Sequence, residues 1–413
     1  MTTNENTGLN NLFNRMLTVG GIACIVGLIA LVVLGFLNGF ADVWRGYLTA
    51  YIFWWGLAMG CLAVLMIHHL SGGRWGFIMR RPLEAGAMVL VVMALAFVPI
   101  IVAVMTGNAS LYEWLDAKKI AEDPLITYKV TTTGYLLPLN WTIRAVVVFA
   151  LWIGLAYLLY STSRAQDTAP DGNFTLANRM RTISGIGIPV YIVTMTMVGV
   201  DWYMSIDPHW FSAIYGVLFI VGQGLTTFAC IIILLSMLTN HYPFSKVVDK
   251  NRLDEYGKLM LAFVVLWAYV NYGQYVIIWS GNIPEFTPWF VRRFAPGWQA
   301  ITVILVLFHF ALPFALLLSR LLKRNLRMLA AVAGLILLMR MLENFWIVAP
   351  EYTGIEFYGS SIVGMLVTYL AAFAFLGGLW CMGFAWFVRQ QPVLPENDLR
   401  NDPRAMKGQV AHA

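Results

Sequence analysis

Four ionisable residues lie inside stretches of sequence that are otherwise apolar: Arg144, Asp201, Arg340 and Glu343. Such a side chain in hydrocarbon costs about 2.5–3.5 kcal/mol even on a lenient insertion scale, so each one needs a partner, an aqueous cavity or a function. Their formal charges sum to zero, and Arg340 and Glu343 share one helix face because they are three residues apart. We expect one polar unit, which is either a neutral network that pins helices together or a site for a proton or a quinone headgroup.

The two carboxyl groups of this unit are expected to differ. Glu343 should stay ionised and structural, because the guanidinium of Arg340 one turn away favours its charged form. Asp201 is expected near the outer end of its helix and is then the better candidate for proton exchange.

A second set of ionisable residues is expected at the cytoplasmic ends of the helices. His68 and His69 end the second apolar stretch, Glu84 begins the third, and Lys258 begins the seventh. Long or amphipathic side chains can extend from such positions to the lipid headgroups, so these residues need no function. Alternatively, they form the inner end of a proton path.

His309 is expected near the middle of the eighth stretch, between the two sets. A histidine there is usually a hydrogen-bonded link between helices, but its titration near neutral pH also makes it the best available proton relay. Asn271, Gln274 and Tyr275 on the seventh stretch would add polar groups at a similar depth. The resulting hypothesis is a proton path from the outer unit through His309 to the cytoplasmic set.

Ligands for metals and cofactors are scarce. The four cysteines all lie in apolar stretches, and the sequence contains neither CxxC nor CxxCH. Disulfides, a zinc site, an iron–sulfur cluster and covalent haem are therefore not expected. Haem held by two histidines would need a second deep histidine at the level of His309. We expect no metal and no cofactor bound covalently or by metal ligation.

The elements that position these residues are membrane helices. The chain is 60% hydrophobic and only 12% charged, against about 25% charged residues in soluble domains. Its apolar stretches run continuously for about 20 residues, which predicts helices rather than barrel strands. We predict an all-α integral membrane protein with ten transmembrane helices, at roughly 17–38, 46–69, 85–107, 137–160, 182–204, 212–238, 258–280, 298–320, 326–349 and 361–388.

The distribution of basic residues sets the orientation of these helices. Of the 27 Lys and Arg residues, nineteen fall on the face that carries both termini and six on the other. The positive-inside rule makes that first face cytoplasmic. We predict cytoplasmic tails at 1–16 and 389–413, the second of them flexible, around one ten-helix core at 17–388. The helix number allows two four-helix bundles with a flanking helix at each end. Because the sequence has no basic soluble module, we expect no nucleic-acid partner.

The outer connection between the fifth and sixth stretches is the most distinctive segment. It contains the sequence DWYMSIDPHWFSAIYG at 201–216, with several aromatic rings around a proline turn. A surface that is aromatic and nearly uncharged is better suited to packing against another protein than to facing water. We therefore predict a partner interface formed by Trp202, Asp207, His209, Trp210 and Phe211.

This segment closely resembles the motif after the fifth helix in the second quinone-type membrane subunit of alternative complex III, a bacterial quinol:cytochrome c (or other acceptor) oxidoreductase. The residues that match the motif are Asp201 and 204–216, and the predicted number of helices agrees with that of the family. That subunit is similar to polysulfide reductase or NrfD-like membrane proteins, which have two four-helix bundles and no haem or metal of their own.

The resemblance implies a function in the bacterial cytoplasmic (inner) membrane. The parent complex would oxidise menaquinol or another quinol and couple this to proton movement. Its implied partners are a homologous NrfD-like membrane subunit, an iron–sulfur subunit, c-type haem subunits and lipids. The chain would contribute a proton path and a quinone pocket, although the sequence assigns no residue to the quinone, and it would not be an enzyme on its own.

Two alternatives remain open at this point. A secondary transporter would also have ten helices and charges within the membrane, but its helix breaks usually occur at corresponding places in two halves. Gly185, Gly187 and Pro189 in the fifth stretch and Pro313 in the eighth do not form such a pair. The other alternative is a purely structural scaffold subunit of the same complex.

Overall fold

The computed structural model describes residues 5–169, 174–354, 360–395 and Asp398. This part of the chain consists of helices and their connections, with no strand in it. The predicted all-α class is confirmed.

Ten helices in the described ranges are long and apolar enough to cross a membrane, as predicted, and the chain is a multi-pass membrane protein. Most of them extend past their apolar stretches, since a helix continues into the headgroup layer after the hydrocarbon ends. Their bounds are α1 Gly8–Asn38, α2 Phe40–Ser71, α3 Trp75–Met105, α4 Pro138–Asp167, α5 Thr175–Ile206, α6 Tyr215–Leu238, α7 Lys250–Gly281, α8 Trp298–Leu318, α9 Leu326–Thr353 and α10 Ile362–Val388. We call outer the face that the charge distribution assigns to the outside.

The helices form two four-helix bundles. The first bundle consists of α2 to α5 and the second of α6 to α9, and in each bundle every helix packs against its two neighbours in the ring. The centrally placed α2 joins the bundles, because it also contacts α6 and α9. This arrangement agrees with the predicted fold.

The flanking helices α1 and α10 pack tightly on each other, and α10 also contacts α2 and α3. Small residues allow this close approach: a Cβ added at Gly378 would collide with the backbone of Gly20 and Cys24. Such contacts are a main source of helix association in lipid, where burial of apolar surface provides no driving force. Gly39, with a φ of 91°, reverses the chain between α1 and α2.

Two spanning helices contain a turn of π-helix. In α5 this turn is Gly199–Tyr203, and in α8 it is Leu305–Ala311. A π-turn widens the helix by one residue, and such turns are frequent at functional sites. The turns carry Asp201 and His309, so both of these candidate residues lie where their helix departs from regular geometry.

Short helices cover the outer ends of the bundles. Ala117–Glu122 and Pro124–Thr127 lie in the long connection between α3 and α4, where Asp116 and Asp123 accept hydrogen bonds from the first backbone N–H groups. Pro288–Phe294 lies between α7 and α8 and packs against α9. This last helix closes the outer end of the second bundle.

Candidate functional site

The centre of the second bundle holds a fully buried polar cluster. Arg340 and Glu343 form an ion pair on α9, and the indole N–H of Trp267 on α7 donates to Glu343 Oε1 at 2.8 Å. Nδ1 of His309 on α8 lies 3.5 Å from Glu343 Oε2. The Trp267 and His309 rings have centroids 4.0 Å apart. Three helices therefore converge on one carboxylate, which we call the Glu343 cluster.

His309 is unusual in this cluster because neither of its ring nitrogens has a hydrogen-bond partner, although the residue is completely buried. Leaving a buried donor or acceptor unsatisfied costs about 1–3 kcal/mol. The ion pair of Arg340 and Glu343 would persist with an apolar residue in place of His309. Burial of the His309 imidazole therefore costs free energy, and the Arg340–Glu343 ion pair gives no reason for this cost.

The cluster continues into α6. Arg340 Nε donates to Thr226 Oγ1 at 3.1 Å, and the guanidinium lies against Gly222, where a Cβ would collide with it. One turn away, Gln223 Oε1 accepts a 2.6 Å hydrogen bond from the Tyr191 hydroxyl on α5. Sequence reasoning missed these residues. The available signal was three polar side chains close together at 223, 226 and 227 in a largely apolar helix.

Arg144 and Asp201 form a separate pair near the outer end of the first bundle. Arg144 Nε and Nη2 donate to the two carboxylate oxygens at 2.7 and 3.2 Å, and Nη2 also donates to the Tyr135 carbonyl at 2.8 Å. The guanidinium lies 4.1 Å from the centre of the Tyr135 ring. Two hydrogen bonds from one guanidinium fix the orientation of the Asp201 carboxyl group.

The expected unit of four residues is therefore not formed. Arg144 and Asp201 connect α4 to α5, whereas Arg340 and Glu343 lie on α9, and no hydrogen bond or ion pair in the described part of the chain joins the two pairs. The prediction was wrong because summed charge does not tell which helices are neighbours. The bundles nevertheless share one pattern: a carboxylate on the fourth helix of each faces a basic side chain on the third.

The end of the first bundle opposite to the outer face holds a buried network around Glu84. Arg80 Nε and Arg81 Nη1 bind its carboxylate at 3.0 and 2.8 Å, and the Ser163 hydroxyl donates to it as well. Arg81 also pairs with Asp167 on α4. The sequence indicated only that these arginines set the membrane orientation. The structure shows that they also fasten α3 to α4.

The segment after α10 takes part in this network. Gln391 Oε1 accepts a hydrogen bond from Arg81 at 3.0 Å, and Asp398 pairs with Arg80 at 2.8 Å. Leu394 in the same segment is also buried. The expectation of a flexible tail is wrong for Gln391 and Asp398, which bind the buried Arg81 and Arg80. Residues 396–397 and 399–413 lie outside the described residues.

Among the described residues, no hydrogen bond or ion pair joins the other members of the expected cytoplasmic set to Glu84. His68 packs edge-on against Trp75 at 5.2 Å between ring centroids and beside His69 at 5.5 Å. Lys258 pairs with Asp254 at 2.8 Å and is largely exposed. The described ranges contain no hydrogen bond or ion pair that connects His309 to any of these groups. The inner half of the proposed proton path thus has no hydrogen-bonded chain.

The distinctive 201–216 segment packs mainly inside its own chain. The Trp202 ring lies 4.1 Å from that of Phe97, and its backbone carbonyl accepts from the Tyr112 hydroxyl. Trp210 stacks on Trp289 at 5.4 Å and donates to the Phe286 carbonyl in the connection between α7 and α8. Both indoles are almost fully buried. The predicted partner interface is therefore wrong for Trp202 and Trp210.

The rest of that predicted interface is partly accessible. The side chain of His209 is half exposed and pairs with Asp123 at 2.6 Å, and Phe211 is 55% exposed. Asp207 binds Arg292 at 2.8 Å and is mostly covered. Of the five residues in the predicted interface, only His209 and Phe211 expose enough of their side chains to contact a partner.

A second unexpected ion cluster lies just beneath this segment. Arg292 and Arg293 from Pro288–Phe294 both bind Glu351 at the outer end of α9. The guanidinium of Arg293 is fully buried and lies 3.5 Å from the centre of the Trp289 ring. Burial lowers the pKa of Arg293 from its ordinary value, and Glu351 opposes that shift. Two outer cavities of about 370 and 180 Å³ both reach Glu351.

A well-defined cavity lies between α7 and α8. It has a volume of about 500 Å³ and mainly aromatic walls. Trp267 lines it, so the cavity is separated from Glu343 by one side chain. Gln274 also lines it, and neither its amide nitrogen nor its amide oxygen has a hydrogen-bond partner.

In the described part of the chain, no group of three or more His, Cys, Asp or Glu side chains is placed to hold a metal ion. Comparison of the chain with protein-family models and with curated proteins found no match.

Proposed function

We propose that this chain is a membrane subunit of a quinol-oxidising electron-transfer complex of the alternative complex III type, in the bacterial cytoplasmic membrane. Its part in the complex is to accept protons from quinol. The observation that carries this proposal is the free imidazole of His309, buried at 3.5 Å from the carboxylate of Glu343. A purely structural ion pair does not need such a group beside it.

The electrons and the protons of a quinol need different acceptors, which different subunits would provide. A quinol that is oxidised to a quinone loses two electrons and two protons. The electrons pass to an iron–sulfur or haem centre, which partner subunits would supply. The protons require a base within the membrane. His309 and Glu343 both carry atoms that can accept a proton, an imidazole nitrogen and a carboxylate oxygen, so the pair can take one additional proton at a time.

The arrangement of charges favours proton release to the outer face. Glu351 lies eight residues beyond Glu343 on the same helix, which is roughly 12 Å along its axis. The outer cavities reach Glu351. Toward the cytoplasm, no hydrogen bond or ion pair among the described residues joins His309 to His68, His69, Glu84 or Lys258. We therefore propose release of quinol protons to the outside rather than uptake from the cytoplasm.

Purification of the native protein is the first test. Iron–sulfur and multihaem subunits that copurify would support the proposed complex. A homo-oligomer without redox subunits would instead favour a secondary transporter.

Quinol oxidation by the assembled complex tests the Glu343 cluster. His309→Gln should slow oxidation by about 100-fold, the lower part of the usual range for a proton-transfer residue. The double variant Arg340→Met/Glu343→Gln should have a similar effect and leaves no unpaired charge. His241→Gln, the same substitution in a cytoplasmic loop, and Asp201→Asn should leave the rate within about twofold. If both cluster variants assemble and oxidise quinol at the normal rate, the scaffold interpretation replaces this one.

A further inference from the structure

We propose that the cavity between α7 and α8 binds the ring of a quinone or quinol. A role for this site in turnover rests on the function proposed above, but the binding itself does not. Three properties carry the inference: an opening toward the lipid, an unpaired amide and walls of aromatic rings.

The position of the cavity suits a ligand that arrives through the membrane. α7 packs against Leu312–Leu318 of α8 but separates from Trp298–Ile304, and the cavity fills the gap. Pro288–Phe294 covers its outer end with Trp289 and Phe290. At its rim, Tyr272 and Val306 are each more than half exposed on the lipid-facing surface. A hydrophobic molecule can thus enter sideways without crossing the aqueous phase.

Gln274 gives the cavity its chemical specificity. The residue is only 3% exposed, and neither polar atom of its side chain has a partner. By contrast, Asn271 donates to the Trp267 carbonyl, and Thr302 accepts from Trp346. Buried amides without partners are rare, because each unsatisfied group costs free energy. A quinone carbonyl can accept from the Gln274 amide N–H, and a quinol hydroxyl can donate to its oxygen.

The walls fit a flat conjugated ring. Tyr275, Phe290 and Phe294 form one aromatic group, with centroid distances of 5.3 to 6.1 Å. Trp289 and Trp346 adjoin it at 5.4 Å from each other. A volume of about 500 Å³ lies within the ~300–1,000 Å³ typical of small-molecule sites, which combine apolar walls with a few polar groups. A lipid acyl chain could fill this space, but it would leave Gln274 unpaired.

Photolabelling of the full-length chain in lipid nanodiscs tests the site. An azido derivative of a short-chain naphthoquinone is irradiated with the protein, and the labelled peptides are mapped. Label is expected at 267–275 of α7 or 302–310 of α8, with loss of label when menadione is added in excess. Ala268→Phe, which fills the cavity from α7, should abolish this labelling.

The affinity for menadione then tests the amide. Gln274→Leu should weaken binding by about three- to tenfold, as expected for one neutral hydrogen bond. Gln299→Leu, the same substitution at an exposed position at the start of α8, should not change the affinity. Label outside these segments, binding that does not saturate, or equal affinity in wild type and Gln274→Leu would each overturn the inference. Equal affinity in wild type and Gln274→Leu, together with competition by added phospholipid, would identify the cavity as a lipid site.

These outcomes are independent of the proposed function. If the cavity takes no label but His309→Gln still slows quinol oxidation, only the inferred site fails. If the cavity binds menadione but the native protein purifies without redox subunits, the site stands and the proposed function fails.

Discussion

Removal of one charge from the Glu343 cluster should destabilise the protein far more than removal of both. Arg340 and Glu343 are 4% and 2% exposed, and their bond is accompanied by contacts with Thr226 and Trp267. Arg340→Met would leave a buried carboxylate with the Trp267 N–H as its remaining close donor. Breaking a buried pair in this way costs about 3–5 kcal/mol of unfolding free energy.

The double variant Arg340→Met/Glu343→Gln should recover most of this loss. It removes both charges, keeps similar side-chain volumes, and leaves the introduced amide able to accept from the Trp267 N–H, so its unfolding free energy should lie within about 1.5 kcal/mol of wild type. The coupling energy of the cycle would then be several kcal/mol. The assay is unfolding by SDS in mixed micelles, followed by circular dichroism.

An exposed pair provides the control for this cycle. Lys119 and Glu113 lie 2.7 Å apart with about half of each side chain in solvent, so neutral replacements there should change stability by less than about 1 kcal/mol. A loss below about 1 kcal/mol for Arg340→Met, or a double variant equal to the sum of the single ones, would refute a buried and coupled pair.

Two further predictions concern packing and pH. Gly222→Ala should push the Arg340 guanidinium off Glu343 and cost about 1–3 kcal/mol in the same unfolding assay. The control is Gly334→Ala, whose methyl group meets open space and which should be neutral or slightly stabilising. Equal effects of the two substitutions would contradict the close contact at Gly222. In the outer connection, desolvation raises the pKa of Asp123, but the backbone N–H groups of Ile126 and Leu125 and the His209 ring outweigh it and hold this pKa below its ordinary value. The ionised Asp123 therefore stabilises the outer connection fully above the ordinary carboxyl pKa of about 3.9. This stabilisation is lost as the pH falls through the lowered pKa. Hydrogen-exchange protection at 116–132 should fall in that window in wild type, and Asp123→Asn should lower it already at neutral pH; a pH-independent protection in wild type would contradict this.

Much of the fold could be predicted because the bilayer restricts what a backbone can do. Every backbone polar group in hydrocarbon needs an internal partner, so long apolar stretches must become helices. The ten helices were found on this basis. Their ends were less predictable, because hydropathy marks the hydrocarbon boundary and not the last helical residue: α7 begins at Lys250, eight residues before its apolar stretch.

The candidate site was predictable only where its residues are neighbours on one helix. Arg340 and Glu343 pair as their spacing allows. Their partners Trp267, His309 and Thr226 come from three other helices, and no local pattern connects these. The π-turns that hold Asp201 and His309 also left no clear mark in the sequence.

The sequence by itself determined that the chain is a membrane protein, how many times it crosses, and which residues are too costly to face lipid alone. Those properties follow from composition and from spacing along one helix. Only the tertiary structure decided that the intramembrane charges form two separate pairs, that Trp202 and Trp210 are buried, and that Gln274 borders a cavity. Lateral packing decides such features: small residues and polar contacts determine which helices meet, and hydropathy is the same whichever neighbours a helix has.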